Sequence, residues 1–306
     1  MPTADGVCIA GIDPNYQSIR PVLPPPGVLR EHLYIKGKLV IRPSAKVIFD
    51  FHQVSIKPPH IENLGFDPDS IEYLGLCDKS EWGKVLGASS FSTVEDIYDG
   101  LLKEHRWVEP DANVRSLGTV SEVQIEDIEI EPLKIPGHYK PRLAFRDSTG
   151  WIFRLPVSDL SFRAFADYEI SRIGTILAAS SQILKTLQSA NRLYLRIGLP
   201  GPWRNPSTGK VASWMQVTGI YTFPDYLGGK SFADFEATMR SSEAKAYDVK
   251  EIREKYSKAY TKWTEDEDNS LRNEYLRGKT VEGLARDFQR KPGAIRSRLL
   301  RLGLLN

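Results

Sequence analysis

Apolar residues keep helical spacing near the end of the chain. Ile295, Leu299 and Leu302 fall at i, i+4 and i+7 and so share one helix face, while Arg296, Ser297 and Arg301 point elsewhere and Arg298 flanks the stripe. A shorter helix is predicted before it, capped by Thr280, with Val281, Leu284, Ala285 and Phe288 facing inward. A first helix is predicted from Thr264, with Glu267 at the capping-box position and Glu265 to Asp268 in the turn that the helix dipole favours for acids. Trp263, Leu271 and Tyr275 form its apolar side, and Arg277-Gly278-Lys279 ends it with glycine where a left-handed residue is wanted. A three-helix unit over 262–306 is therefore expected.

The middle of the chain follows a different period. From Val120 to Ile130 apolar and acidic residues alternate: Val123, Ile125, Ile128 and Ile130 against Glu122, Glu126, Asp127 and Glu129. Arg142 to Asp147 and Trp151 to Val157 read as a hairpin around Ser148-Thr149-Gly150. One long helix is predicted over Phe162 to Ser189, then strands at Leu193 to Leu199 and Trp214 to Phe223. Strand, strand, strand, helix, strand, strand is the element order of an OB-fold, a small Greek-key barrel that commonly holds oligonucleotides or oligosaccharides on its second and third strands and two loops. Those loops fall at Pro132 to Tyr139 and Pro200 to Val211. The second contains Trp203, Arg204 and Lys210. An exposed indole beside arginine suits base stacking; the alternative is that Trp203 folds back over the barrel end.

Residues 6–120 repeat this scheme less clearly. Val7 to Ile12 and Ser18 to Val22 suggest a hairpin through Asp13-Pro14-Asn15, and Val47 to Val54 a third strand. Ser92-Thr93-Val94-Glu95 is predicted to cap a helix running through Leu102, with a closing strand at Val114 to Val120. The Pro-, Gly- and Asp-rich stretch 58–90 is expected to be irregular. The predicted fold class is thus mainly β with α: a first OB-like barrel with an irregular insertion over 1–119 and a second over 120–227. A charged helical connector over 228–261, beginning with a short helix at Phe232 to Met239, leads to the three-helix unit over 262–306.

Charge changes the picture at one end only. The net charge is +2, so basic character is local. From Arg277 to Arg301 the basic residues are Arg277, Lys279, Arg286, Arg290, Lys291, Arg296, Arg298 and Arg301, opposed within that stretch by Glu282 and Asp287. Positive charge on the second and third helices suits phosphate contacts from one side of a small domain; the plainer alternative is a docking or dimerisation module with a solvated basic face. Two cysteines, Cys8 and Cys77, provide neither a disulfide framework nor a zinc cluster, and the five histidines lack metal spacing. There is no membrane-length apolar run and no signal segment, and a cytoplasmic protein is expected.

Two resemblances follow from these residues. The Trp263-Thr264-Glu265-Asp266-Glu267-Asp268 opening and the Ala294-Ile295-Arg296-Ser297-Arg298-Leu299 to Leu304 close resemble Myb/SANT-like and related bacterial helix-turn-helix domains over residues 262–304, without the later tryptophans. The resemblance implies that the third helix reads DNA. Ala294, Ser297 and Arg301 would face the groove, and Lys291, Arg296 and Arg298 would reach bases or phosphates, with Arg290 in the turn before them. Three further segments resemble bacterial or phage dual OB domain-containing proteins: Cys8 to Asp13 with Ile19 to Val22, Leu155 to Asp159 with Phe162-Arg163, and Trp214 to Pro224. Ser18 stands where that family carries an aromatic residue.

Catalytic signatures are weak. Gly278-Lys279-Thr280 mimics a phosphate loop, but Asn273 occupies the position of its first glycine. Asp248-Val249-Lys250 and Pro224-Asp225 have the letters of a nuclease site, and Asp13, Asp159 and Asp225 lie near strand ends, where carboxylates either serve metals or cap turns. No cofactor or resident metal is expected. The favoured reading is a non-catalytic nucleic-acid-binding protein: duplex DNA at the three-helix unit, single strands or a protein partner at the barrels. The alternatives are a metal-dependent nucleic-acid-processing enzyme and an adaptor subunit of a DNA repair, transposition or phage-defence assembly.

Overall fold

A computed structural model describes residues 6–133, 139–246, 255–259 and 261–305, with the side chains of 242–246 left aside. Helix and strand are nearly equal, about 31% and 29%, so the class is mixed α/β and not mainly β. The chain divides into two units, Met1–Glu236 and Ala237–Asn306.

In the larger unit, Gln124–Pro132, Tyr139–Arg146 and Ile152–Pro156 form a consecutive antiparallel ladder. The acidic/apolar alternation gives the first of these strands its two faces: Ile125, Ile128 and Ile130 are buried, and Glu129 is exposed. A second sheet runs Gln216–Phe223, Arg192–Gly198, Leu117–Val120, Ser90–Phe91. The two sheets share one stretch of chain. Leu117–Val120 pairs with Arg192–Gly198, kinks where Glu122 takes φ +55°, and continues as Gln124–Pro132 in the other ladder. At the opposite edge, Val157 bridges Val217 in parallel, so the pairings form a closed circuit.

Asp159 secures that junction. Its carboxylate accepts the Ser161 N–H at 2.9 Å, capping the helix Leu160–Ile173, and the Ile220 N–H at 3.0 Å. Burial pushes its pKa up to about 6, against the opposing pull of these backbone bonds and of Arg196.

The single helix expected over 162–189 is two, Leu160–Ile173 and Ile176–Gln188. Gly174, at φ +90°, ends the first, and Thr175 caps the second, so the apolar stripe continues through a break in the backbone. The second helix buries Ala179, Ile183 and Leu187, one residue per turn. Residues 58–90 are not irregular. They hold strands Asn63–Phe66 and Glu72–Leu76 and the helix Lys79–Ala88. Asp67 and Asp78 cap the 3-10 turn Pro68–Ser70 and that helix, so the turn-forming residues mark element ends. The helix capped by Thr93 covers only Val94–Ile97 before Asp99 and Gly100 turn left-handed, and the helix beginning at Phe232 runs to Ala246.

No gap in the core marks residue 119. One apolar cluster includes Ile9, Val28 and Phe66 together with Leu143, Leu195 and Ile220. Polar bonds also join the two halves: Arg196 donates to the Ala10 carbonyl and Arg20 to the Leu199 carbonyl. Burial lowers the Arg20 pKa.

The smaller unit carries helices Glu265–Leu276, Val281–Asp287 and Pro292–Arg301. The capping box of Thr264 and Glu267 is formed in both directions, Thr280 caps the second helix, and Gly278 sits at φ +88°. Leu271, Leu284, Ala285, Ile295 and Leu299 are buried together, with Trp263, Tyr275, Phe288 and Leu302 packed around them.

Candidate nucleic-acid interface

The arginines near the third helix fall into two groups. Arg290 is 2% exposed. Its guanidinium donates to the carbonyls of Lys258, Thr261 and Lys262 and to Glu267 Oε2 at 2.8 Å, and it lies 4.1 Å from the centre of the Trp263 ring. Glu267 also accepts from Lys258 Nζ at 2.8 Å and from the Thr264 N–H. Burial alone would raise the Glu267 pKa, but these bonds outweigh it and the net shift is downward. Arg298 grips Asp268 through two bonds, Nε to Oδ1 at 2.6 Å and Nη2 to Oδ2, and also faces Trp263. That grip lowers the Asp268 pKa and raises that of Arg298. Arg290 and Arg298, grouped with the DNA-facing residues on sequence grounds, instead tie the unit together. The acids that hold them lie on the first helix, outside the stretch in which the basic charge seemed nearly unopposed.

The other candidates lie on the outer side. Gly293, Arg296, Ser297, Leu300 and Arg301 are exposed, opposite the buried Ile295 and Leu299. Arg296 makes one long ion pair, 3.6 Å to Glu282, between two well-exposed side chains. Arg301 has no ion pair among the described residues. Lys291 caps the helix N-terminus without a side-chain cap bond, and it and Ala294 are partly exposed. Leu300, 52% exposed in the middle of this face, was hidden in the sequence among four leucines that look alike.

In the larger unit the expected loop 200–211 is a hairpin, in which Trp203–Arg204 pairs with Val211–Trp214. Trp203 is 45% exposed and is not a lid. Its ring lies 6.1 Å from Trp214, and Trp214 lies 6.2 Å from the buried Trp107, so three indoles follow one another. Lys210 Nζ sits 3.4 Å from the centre of the Trp107 ring and 3.9 Å from Glu109. Arg204 donates to the Gly209 carbonyl and so closes its own turn. The structure brings Trp203, Arg204 and Lys210 together on this hairpin. Trp107 and Trp214, paired across the strands, were missed because their partnership is not local in sequence.

The candidate carboxylates are engaged with backbone. Asp13 accepts the N–H groups of Asn15 and Gln17, and Asp225 those of Leu227 and Gly229. Asp248-Val249-Lys250 and residues 134–138 of the other expected binding loop lie outside the described residues. Among the described residues no three His, Cys, Asp or Glu side chains gather as a metal site, and no helix is long and apolar enough to cross a membrane. The chain matches no family model, no curated protein and no solved structure.

Proposed function

We propose that this chain is a non-catalytic nucleic-acid-binding protein whose C-terminal unit docks on duplex DNA and whose larger unit engages a single strand. The observation that carries the first half is the outer face of Pro292–Arg301. Arg296, Ser297 and Arg301 stand exposed there, while Ile295 and Leu299 are anchored and Arg290 and Arg298 brace the scaffold. In this reading the three helices form a helix-turn-helix unit of the Myb/SANT-like kind, and the third enters the major groove. Arg296 and Arg301 displace counterions from phosphates. A bidentate contact of either with guanine would add about 1–3 kcal/mol of base discrimination.

The second half rests on the closed pairing circuit and the order strand, strand, strand, helices, strand, strand, which suit a Greek-key barrel of the OB type. Residues 6–116 make short ladders with no comparable circuit among the described residues, so the single-strand role is assigned to 117–223. Trp203, Arg204 and Lys210 are its expected contacts, through stacking and charge. A duplex titration of the full chain tests the first half. Arg296→Ala with Arg301→Ala should weaken binding at least roughly ten-fold, as expected when direct contacts are lost, and an unchanged affinity would remove the helix from the interface.

A further inference from the structure

A second aromatic surface is formed by Trp151 and by His105, two residues before Trp107. Trp151 ends the turn Ser148-Thr149-Gly150 and is 50% exposed. The imidazole of His105 lies flat against it, with ring centres 4.1 Å apart and planes 27° apart. Both rings are held by rigid backbone. Asp147, itself buried, accepts from the Thr149 N–H and hydroxyl and from the Val94 N–H, which pins the turn that carries Trp151. On the other side, the Lys103–Trp107 turn places Glu104 and His105 both at positive φ, +50° and +52°. Two successive left-handed residues are normally glycine, asparagine or aspartate. A glutamate and a histidine there keep a strained conformation, and strain of this kind concentrates at functional positions.

The stacked pair borders a cleft of about 480 Å³ lined by Arg106, Arg154 and Glu104, and a second of about 510 Å³ lined by Glu95, Glu104 and Thr149. Clefts of this size accept small planar ligands. Arg106 has no ion pair among the described residues, and Arg154 pairs with Glu129 across a solvated surface. We propose that the Trp151–His105 shelf binds a nucleobase, with the attached phosphate toward Arg106 and Arg154. Flat aromatic walls favour a planar ring, arginines at the rim favour its anion, and the acids and hydroxyl of the second cleft can accept hydrogen bonds from a base N–H such as N3–H of thymine. The inference rests on the single-strand half of the proposed function and is independent of the duplex half.

The test measures binding of a short labelled oligo(dT) and of free dTMP to the full chain, to Trp151→Ala, and to the double variant Glu104→Asn with His105→Gly. The double variant removes the stacked ring and suits the turn better, so it should keep or gain thermal stability; it decides the matter if Trp151→Ala fails to fold. Each folded variant should lose roughly five-fold or more in affinity, the size expected for one stacked base. Loss for the oligonucleotide alone identifies the ligand as part of a strand, and loss for both ligands identifies a nucleotide site. A wild-type chain that binds oligo(dT) while the folded variants bind equally well overturns the shelf and leaves the barrel reading standing. A wild-type chain that binds neither ligand overturns both.

Discussion

In the larger unit, charged groups are exceptions inside an apolar core. Arg20, Arg196 and Asp159 are buried and hydrogen-bonded mainly to backbone. In the C-terminal unit ionic bonds take a larger share. Leu271, Leu284, Ala285, Ile295 and Leu299 form its buried apolar cluster, and the arginines of the pairs Arg290–Glu267 and Arg298–Asp268 lie over Trp263 at its edge. A unit this small buries little apolar surface, and ionic bonds with good geometry take on part of the structural work. Basic residues in such a unit therefore serve two purposes, scaffold and surface, and the sign of the charge alone does not separate them.

The largest expected effect comes from breaking the scaffold. Arg290→Ala would leave Glu267 and three carbonyls without their shared donor, and removing one member of a buried pair costs about 3–5 kcal/mol. Hydrogen exchange of the 265–276 amides in the full chain should accelerate accordingly, and protection unchanged from wild type would show that the apolar residues suffice. Arg298→Ala should cost less, about 1.5–3 kcal/mol, because its bonds to Asp268 are charge-assisted but partly solvated. The same amides report it.

Asp159 and Asp268 should also respond to pH with opposite signs. Asp159 is held above the ordinary carboxylate value of about 4, at about 6, so the folded state holds its proton more tightly than the unfolded one. Its contribution is present below about 4 and is lost as pH rises through 6. Asp268 is held low by Arg298; its contribution is present above about 4 and is lost as pH falls through its lowered value. Urea unfolding with exchange read separately at the 160–173 and 265–276 amides should show these slopes, and Asp159→Asn should flatten the first alone. A first slope unaltered in that variant would assign it to other groups.

What was legible in the sequence was local. Thr264 with Glu267, Thr280 and Gly278 mark the C-terminal helices because caps act within a few residues. The acidic alternation before Ile130 marked a strand for the same reason. Gly174-Thr175 carried a stop-and-start signal inside an unbroken apolar stripe, and the stripe concealed it. The roles of Arg290 and Arg298 were out of reach, because their acids lie 23 and 30 residues away. So were the His105–Trp151 stack and the pairing of Leu117–Val120 with Arg192–Gly198, which only tertiary folding brings together.

The smallest effect on stability should accompany the largest effect on binding. Arg296→Ala with Arg301→Ala touches exposed side chains and should shift stability by no more than about 0.5 kcal/mol. The most direct measurement is the slope of log affinity against log salt for a duplex, compared between this double variant and wild type. Docking through the outer face of the last helix predicts a steep wild-type slope that becomes shallower by roughly one for each phosphate contact removed. Equal slopes in the two proteins, or a wild-type affinity indifferent to salt, would contradict it.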